Sequence, residues 1–423
     1  MRKRLVINAE ISQFDFLKNK SLNGDTETLK IIFEYFKSKK FIINIIITEK
    51  VWTKKDYNFR KEFENLKNKG VIEDFIFIDL KNSTHEKKPN NFLEYLKIKY
   101  TVKKEVKLYS YKFSNIINHI KPDFVFSFMD IFPVNYKSIS PLVVWGLHNS
   151  DFVLKYNFEK KKRNFLHKQI FKLKLKINNY FYRKKVRGIS LNLCPSQYFG
   201  KMNSILFKNR PKVIYFNHPA RDLKKNKPVY KKKKQKIVSL IGTTQTTFAQ
   251  ANIDFLIDEL LTKYNDELDE FEFHIVGDCS NPSKKLLTAT KKFRNIKICG
   301  YVDDLFDKII SSDVILHAVR FPPTSGYKLP NICSCHPCLL LHKAAFQGFP
   351  EIFKNKACLS ALSGKEFVGK LKILTKNKSL SNKIRQNARK VYEKYYSLDN
   401  LPKILENCNN MIYKKNETYK DWN

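Results

Sequence analysis

Between residues 271 and 348 short apolar runs, each closed by a glycine or a polar turn, alternate with stretches of helical spacing. That alternation limits what the chain can fold into. Phe273-His274-Ile275-Val276 runs into Gly277-Asp278. Ile296-Lys297-Ile298-Cys299 runs into Gly300, ahead of the acidic turn Tyr301-Val302-Asp303-Asp304. VILHAV (314–319) and CLLLH (338–342) are a third and a fourth run. Runs of this length that alternate with helices predict an α/β unit with a parallel sheet. Ligands of such sheets bind beyond the carboxyl ends of the strands. Here those ends carry Gly277, Asp278, Gly300, Arg320, Ser325, Gly326 and Lys328.

The first half of the chain repeats the theme. RLVINAEIS (4–12), FIINIIIT (41–48), DFIFIDL (74–80), FVFSFMD (124–130) and PLVVWGLH (141–148) read as strands, with helices at 26–40 and 103–120. Asn23-Gly24-Asp25-Thr26 offers a helix start with free backbone N–H groups. His148 closes an apolar strand and opens a polar His-Asn-Ser-Asp turn, again at a carboxyl end. As an alternative, it is a turn histidine that bonds locally. KKNKPVYKKKKQK (224–236) has no apolar pattern and reads as a linker. Beyond it, IVSLIGTT (237–244) runs through Gly242 and Thr243 towards an amphipathic helix at 251–264. That arrangement can present backbone N–H groups to phosphate oxygens.

At 423 residues, 43% of them hydrophobic, the chain has room for two cores. The expected division is 1–223, a linker 224–236, a second domain 237–395, and a closing helix 396–423 that returns to the first domain. No apolar run reaches transmembrane length, and MRKRLVINAEIS breaks at Glu10 without a signal-peptide core. A cytoplasmic protein, on the inner face of a membrane at most, is expected. The net charge of +40 comes from 80 basic residues, only 12 of them Arg, spread along the chain. Solvated surface lysine accounts for most of it, and no helix-turn-helix, zinc-finger or RNA-recognition signature accompanies it, so no nucleic acid is expected. Residues 151–188 stand out, with 13 Lys or Arg against 2 acidic residues, interleaved with aromatic and aliphatic side chains. They read either as a surface helix or as a basic amphipathic face for an anionic membrane. Cys333, Cys335 and Cys338, with His342, fall on one short junction without a second pair at zinc spacing, and read as structural thiols. Asp303 and Asp304 read as a helix start, not a metal clamp.

The order of the pieces resembles the nucleotide-binding half of retaining glycosyltransferases of the GT-B fold, the glycogen-synthase-like family 4. Four pieces carry it: Val276-Gly277-Asp278, Gly300-Tyr301-Val302-Asp303-Asp304-Leu305, Ser325-Gly326-Tyr327-Lys328 and Pro337-Cys338-Leu339-Leu340. The resemblance implies two Rossmann-like domains whose parallel sheets face across a cleft. It also implies transfer of a sugar, with retention, from a nucleotide-diphosphate sugar to a glycan or lipid-linked acceptor, with no metal and no other cofactor. By the same resemblance, His148 and Lys328 are the catalytic positions. Gly24, Gly242, Thr243, Gly277, Asp278, Tyr301, Val302, Arg320, Ser325, Gly326 and Asn331 then bind the donor, the Tyr301-Val302 turn meeting the base.

Four departures from the family pattern matter. Thr243 and Thr244 follow Gly242, and no Lys or Arg lies between Lys236 and Lys263, where family members often place two cations. Asn331 stands where a ribose-holding Glu is usual, and Pro323 where an earlier Glu is usual. His336 replaces a glycine. Charge compensation for a diphosphate therefore falls to Lys328, Arg320 and backbone donors. The competing readings are a non-catalytic relative acting as a binding partner, and a sugar-nucleotide epimerase or phosphorylase-type enzyme of the same fold.

Overall fold

The computed structural model describes residues 2–10, 14, 17, 24–50, 59–80, 107–128, 136, 138, 140–146, 165–207, 212–223, 236–242, 244, 246–321 and 328–413. These form two compact units. The first takes Met1–Cys194, Phe199–Phe216 and Pro402–Asn423, and the second takes Pro195–Tyr198 and Asn217–Leu401.

The first unit is built on β1 (Arg4–Glu10), β2 (Ile42–Lys50), β3 (Asp74–Leu80), β4 (Phe124–Phe128), β5 (Leu142–Trp145), β6 (Leu191–Cys194) and β7 (Lys212–Tyr215). All pair in parallel, in the order β3-β2-β1-β4-β5-β6-β7. Every residue of β4, β5 and β6 is buried. Continuous apolar runs of this kind belong in parallel sheets covered on both faces. Buried polar side chains, among them Asn8, Ser127 and Asn192, interrupt the rows: Asn8 donates from Nδ2 to Ser127 Oγ at 2.8 Å, while the Tyr109 hydroxyl donates to Asn8 Oδ1 at 3.3 Å. Burial pushes that tyrosine far above its ordinary pKa. The Leu401–Tyr413 helix closes this unit, with Leu405 and Glu406 lining a 290 Å³ cavity beside Phe36, Phe41 and Phe124.

The second unit carries β8 (Lys236–Ile241), β9 (Phe271–Val276), β10 (Ile296–Gly300), β11 (Val314–His317), β12 (Leu339–His342) and β13 (Cys358–Ala361). Their order is β10-β9-β8-β11-β12-β13, again all parallel. Two apolar layers sandwich this sheet. Val314, Leu316 and Ala318 face one with Leu256, Phe273 and Phe367, whereas Ile315 faces the other with Leu329, Ile332, Leu339 and Leu341. Strand alternation accounts for the division.

Some elements escape sequence reading. The helix Phe59–Asn68 and the edge strand β13 are not anticipated, the latter because Cys-Leu-Ser-Ala is short and mostly only half-buried. Helix bounds shift by a few residues. The helix expected at 26–40 spans Gly24–Ser38, and the one expected at 251–264 begins at Thr247, capped by Thr246 through a 3.3 Å bond from the Ala249 N–H. Among the described residues no helix is long and apolar enough to cross a membrane.

Candidate functional site

The strand order of the second sheet reverses between β8 and β11, which are hydrogen-bonded neighbours. Connections leave such a pair in opposite directions, so their carboxyl ends open a crevice, the usual ligand position of an α/β sheet. Gly242 follows β8, and Ala318 to Phe321 follow β11.

Gly242 has φ +150°, and a Cβ there would lie 2.7 Å from Lys328 Nζ. The ammonium of Lys328 thus sits directly over the Gly242 backbone. Lys328 opens the short Lys328–Cys333 helix. Its side chain as a whole retains an exposed surface, yet burial around the ammonium pushes its pKa below the ordinary lysine value. Among the described residues no carboxylate offsets its charge. A partly desolvated cation of this kind is poised for an anion.

Two glycines continue the sheet's ladder beyond their strands. The Gly242 N–H donates to Val276 O at 2.8 Å, and the Gly277 N–H to Gly300 O at 2.8 Å. Thr244 ties the next turn by donating to Asp278 O from its backbone N–H at 2.9 Å. The Asp278 carboxylate accepts from the Ser280 N–H, which holds it below the usual carboxylate range. Tyr301 leaves its ring 69% exposed beside Gly300, with Val302 half-buried. Asp304 caps the Leu305–Ile310 helix by accepting from the Asp307 N–H at 3.0 Å.

The structure therefore brings Gly242 and Lys328 together, with Gly277, Asp278, Tyr301 and Val302 on the adjoining strand ends. Arg320 turns elsewhere. Its Nη2 lies 2.6 Å from Glu259 Oε1, and its guanidinium covers the Phe255 ring at 4.9 Å. Glu259 stands in a π-helical turn, Leu256–Leu261, that continues the Thr247–Phe255 helix. Asn331 sits one turn after Lys328, and its Oδ1 is buried without a hydrogen-bond partner among the described residues. Gly24 begins the Gly24–Ser38 helix of the first unit. His148, Thr243, Ser325 and Gly326 lie outside the described residues.

Sequence reasoning missed three contributors. Asn252 staples the end of β11 to the Thr247–Phe255 helix, donating to Leu316 O at 3.3 Å and accepting from the Ala318 N–H at 2.7 Å. Arg385 is buried against three carbonyls. His317, the last residue of β11, has a buried Nε2 with no hydrogen-bond partner among the described residues. A polar residue closing an otherwise apolar run was the available signal for His317. Of the cysteine cluster, burial pushes Cys338 up to about 11, Cys335 up to about 12, and Cys333 well above the ordinary thiol value. Among the described residues no three His, Cys, Asp or Glu side chains converge on a metal position.

The histidines give a pH prediction. His317 keeps a partly exposed edge, but burial, then the charge of Lys328, then His342, lower its pKa to about 4. Below its ordinary pKa near 6.5 the unfolded chain takes up a proton that the folded chain refuses. Stability is then greatest above pH 6.5 and falls as pH drops from about 6.5 to about 4. For His317 the loss is at most about 3 kcal/mol. Burial likewise lowers His274 and His342, which add in the same direction. Denaturant unfolding at pH 7, 6, 5 and 4 should show this slope in the wild type, and a shallower one in His317→Leu.

No protein-family model and no curated protein sequence matches this chain. Solved structures do. A glycosyltransferase from Rickettsia africae aligns with a TM-score of 0.60 at 12% identity, covering 98% of this chain and 100% of that one. Sucrose-phosphate synthase from Thermosynechococcus elongatus aligns with a TM-score of 0.66 at 8% identity, over 98% and 100%. HepE of Anabaena, in complex with UDP-glucose, aligns with a TM-score of 0.55 at 13% identity, over 97% and 100%. With its two parallel-sheet units, the chain has the GT-B fold.

Proposed function

We propose that this protein is a glycosyltransferase that moves a sugar from a nucleotide-diphosphate sugar to a glycan or lipid-linked acceptor. The observation that carries this reading is the Lys328 ammonium held over the bare backbone of Gly242 at the switch point of the second sheet. In glycosyl transfer the diphosphate leaves with growing negative charge, and a fixed cation in a partly dry crevice stabilises that charge. Turns at the ends of β9 and β10 offer backbone groups and an exposed tyrosine ring to a base. The UDP and UDP-glucose named for HepE support a uridine donor. Transfer of a hexose with retention, in the synthesis of a surface polysaccharide or glycolipid, is the finer form of the proposal. His148 is assigned the donor-sugar wall with Gly24, and no cofactor beyond the donor is called for.

A lipid-linked acceptor suits the helix Phe165–Lys185, which leaves Phe165 75% and Leu166 64% exposed among lysines. Apolar side chains flanked by lysine favour the anionic inner face of a membrane. The second reading, a non-catalytic relative, draws on the diversion of Arg320 to Glu259. Thermal-shift measurements with UDP, GDP, ADP and CMP, followed by turnover assays with the matching sugar nucleotides, separate the two. Binding with release of the nucleoside diphosphate supports the enzyme. Absence of binding in a well-folded protein, or binding without turnover on any acceptor, overturns the enzyme and supports the relative.

Gly242→Ala probes the same crevice from the opposite wall. Alanine is strained by about 1 kcal/mol or more at this positive φ, and its methyl would occupy the place of the ammonium. Titration calorimetry should show affinity for the bound nucleoside diphosphate falling at least about tenfold. Circular dichroism should show a fold that is retained.

A further inference from the structure

Beneath Lys328 lies a second group that the fold itself does not use. His317 closes β11, the strand on one side of the switch point, and the next strand across is β8, which delivers Gly242. By alternation its side chain shares the face of Ile315, which packs with Leu329, Ile332 and Cys333 of the helix that Lys328 opens. The imidazole thus lies under the turn that carries the ammonium. Its Nε2 is buried and has no hydrogen-bond partner among the described residues. One turn along the same helix, Asn331 Oδ1 is also buried and also unpartnered among them. Buried polar atoms are almost always paired, so two orphans flanking one desolvated lysine suggest partners that arrive with a ligand. Leucine at position 317 would continue the apolar run Val314-Ile315-Leu316 and fold better, so stability does not explain the histidine.

We infer that His317 is a donor-phosphate ligand, its Nε2–H donating to an oxygen of the sugar-linked phosphate that Lys328 also holds. The inference rests on the donor site proposed above and adds a residue to it. The ring is neutral at physiological pH, because burial and the neighbouring Lys328 charge disfavour protonation. A neutral donor can sit beside the ammonium without repelling it, and a bound phosphate would supply the acceptor that its nitrogen lacks. No proton is transferred in this role. His317 fixes the leaving group in place, and Asn331 Oδ1 is left to accept from a donor hydroxyl.

Calorimetric titration of UDP, GDP, ADP and inorganic pyrophosphate, with the matching monophosphates, tests this on the full chain. The proteins are wild type, Lys328→Ala, His317→Leu and His317→Gln. His317→Leu should weaken the diphosphate that wild type binds by about tenfold or more. The matching monophosphate should bind within about twofold of wild type, and the melting temperature should rise because an unpaired buried nitrogen is gone. His317→Gln, which can place an amide N–H near the position of Nε2, should recover most of the lost affinity. If His317→Leu binds the diphosphate as wild type does while Lys328→Ala is impaired, the donor site stands and the role of His317 is overturned. Equal losses for mono- and diphosphate, or a lowered melting temperature, would make His317 a structural residue and overturn it too. If wild type binds none of these probes, the donor site falls and takes this inference with it.

Discussion

Lys328→Ala is expected to lower affinity for the nucleoside diphosphate about 100-fold while leaving the fold intact. A charge-assisted hydrogen bond to an anion contributes about 1.5–3 kcal/mol, and the neutral donors left at the site bring no charge to replace it. The chain has no Lys or Arg between Lys236 and Lys263. Arg320 is held 2.6 Å from Glu259 and stacked on Phe255, so releasing it would expose a carboxylate already held below its usual pKa by Lys263 and Arg320. Removing Lys328 also removes a partly desolvated charge that no carboxylate offsets among the described residues, so melting temperature should hold or rise slightly. Calorimetry and a thermal melt on one preparation distinguish this from unfolding. Lys328→Gln, which keeps a donor without the charge, should lie between the two. An undiminished affinity in Lys328→Ala would remove the observation on which the proposed activity depends.

The fold was largely legible because its strands are apolar on both faces. Runs such as Phe124–Phe128 and Leu142–Trp145 can lie only inside a covered sheet. Their alternation with helices then leaves few topologies open. Glycines at the ends of β8, β9 and β10 were legible for a related reason. Each takes a positive φ where the chain leaves the sheet, at +150°, +136° and +68°. Side-chain partnerships across the fold were not legible. Nothing in the neighbourhood of Arg320 in sequence indicates that Glu259, on another helix, will claim its guanidinium. His317 was hidden for the opposite reason, since one imidazole inside VILHAV does not break the strand pattern. Its lack of a partner is visible only once the helix above it is in place. His336 lies between these cases. It was noticed for replacing a glycine, and the reason emerges in its φ of +52°, a left-handed conformation that glycine adopts freely.

How a histidine is held there leads to the largest expected loss of stability, Arg385→Ala. Arg385 is 8% exposed and its guanidinium donates to three backbone carbonyls. Nη1 donates to His336 O at 3.2 Å, and Nη2 donates to Ser312 O at 2.9 Å and Asp313 O at 3.0 Å. Those carbonyls precede β12 and β11, so a single planar fork fixes where two central strands begin. Asp313 is further anchored by its carboxylate, which accepts from the Ile237 N–H at 2.8 Å and so joins β8 to the same knot. Truncation would take the guanidinium donors from three carbonyls, one bond buried and two part-buried, and open a cavity beneath the left-handed turn at His336. Together these should cost about 3–5 kcal/mol, a fall of about 10 °C in the melting temperature for a unit of this size. Lysine would keep the charge, but a point ammonium does not span three divergent carbonyls, so Arg385→Lys should recover less than half of the loss. The loss of stability should exceed that of any substitution in the crevice itself. The fork acts at the amino ends of β8, β11 and β12, and the carboxyl ends of β8 and β11 are where Gly242, His317 and Lys328 meet. A variant that keeps Lys328 and still loses diphosphate affinity in step with its melting temperature would show that the crevice depends on that distant registration.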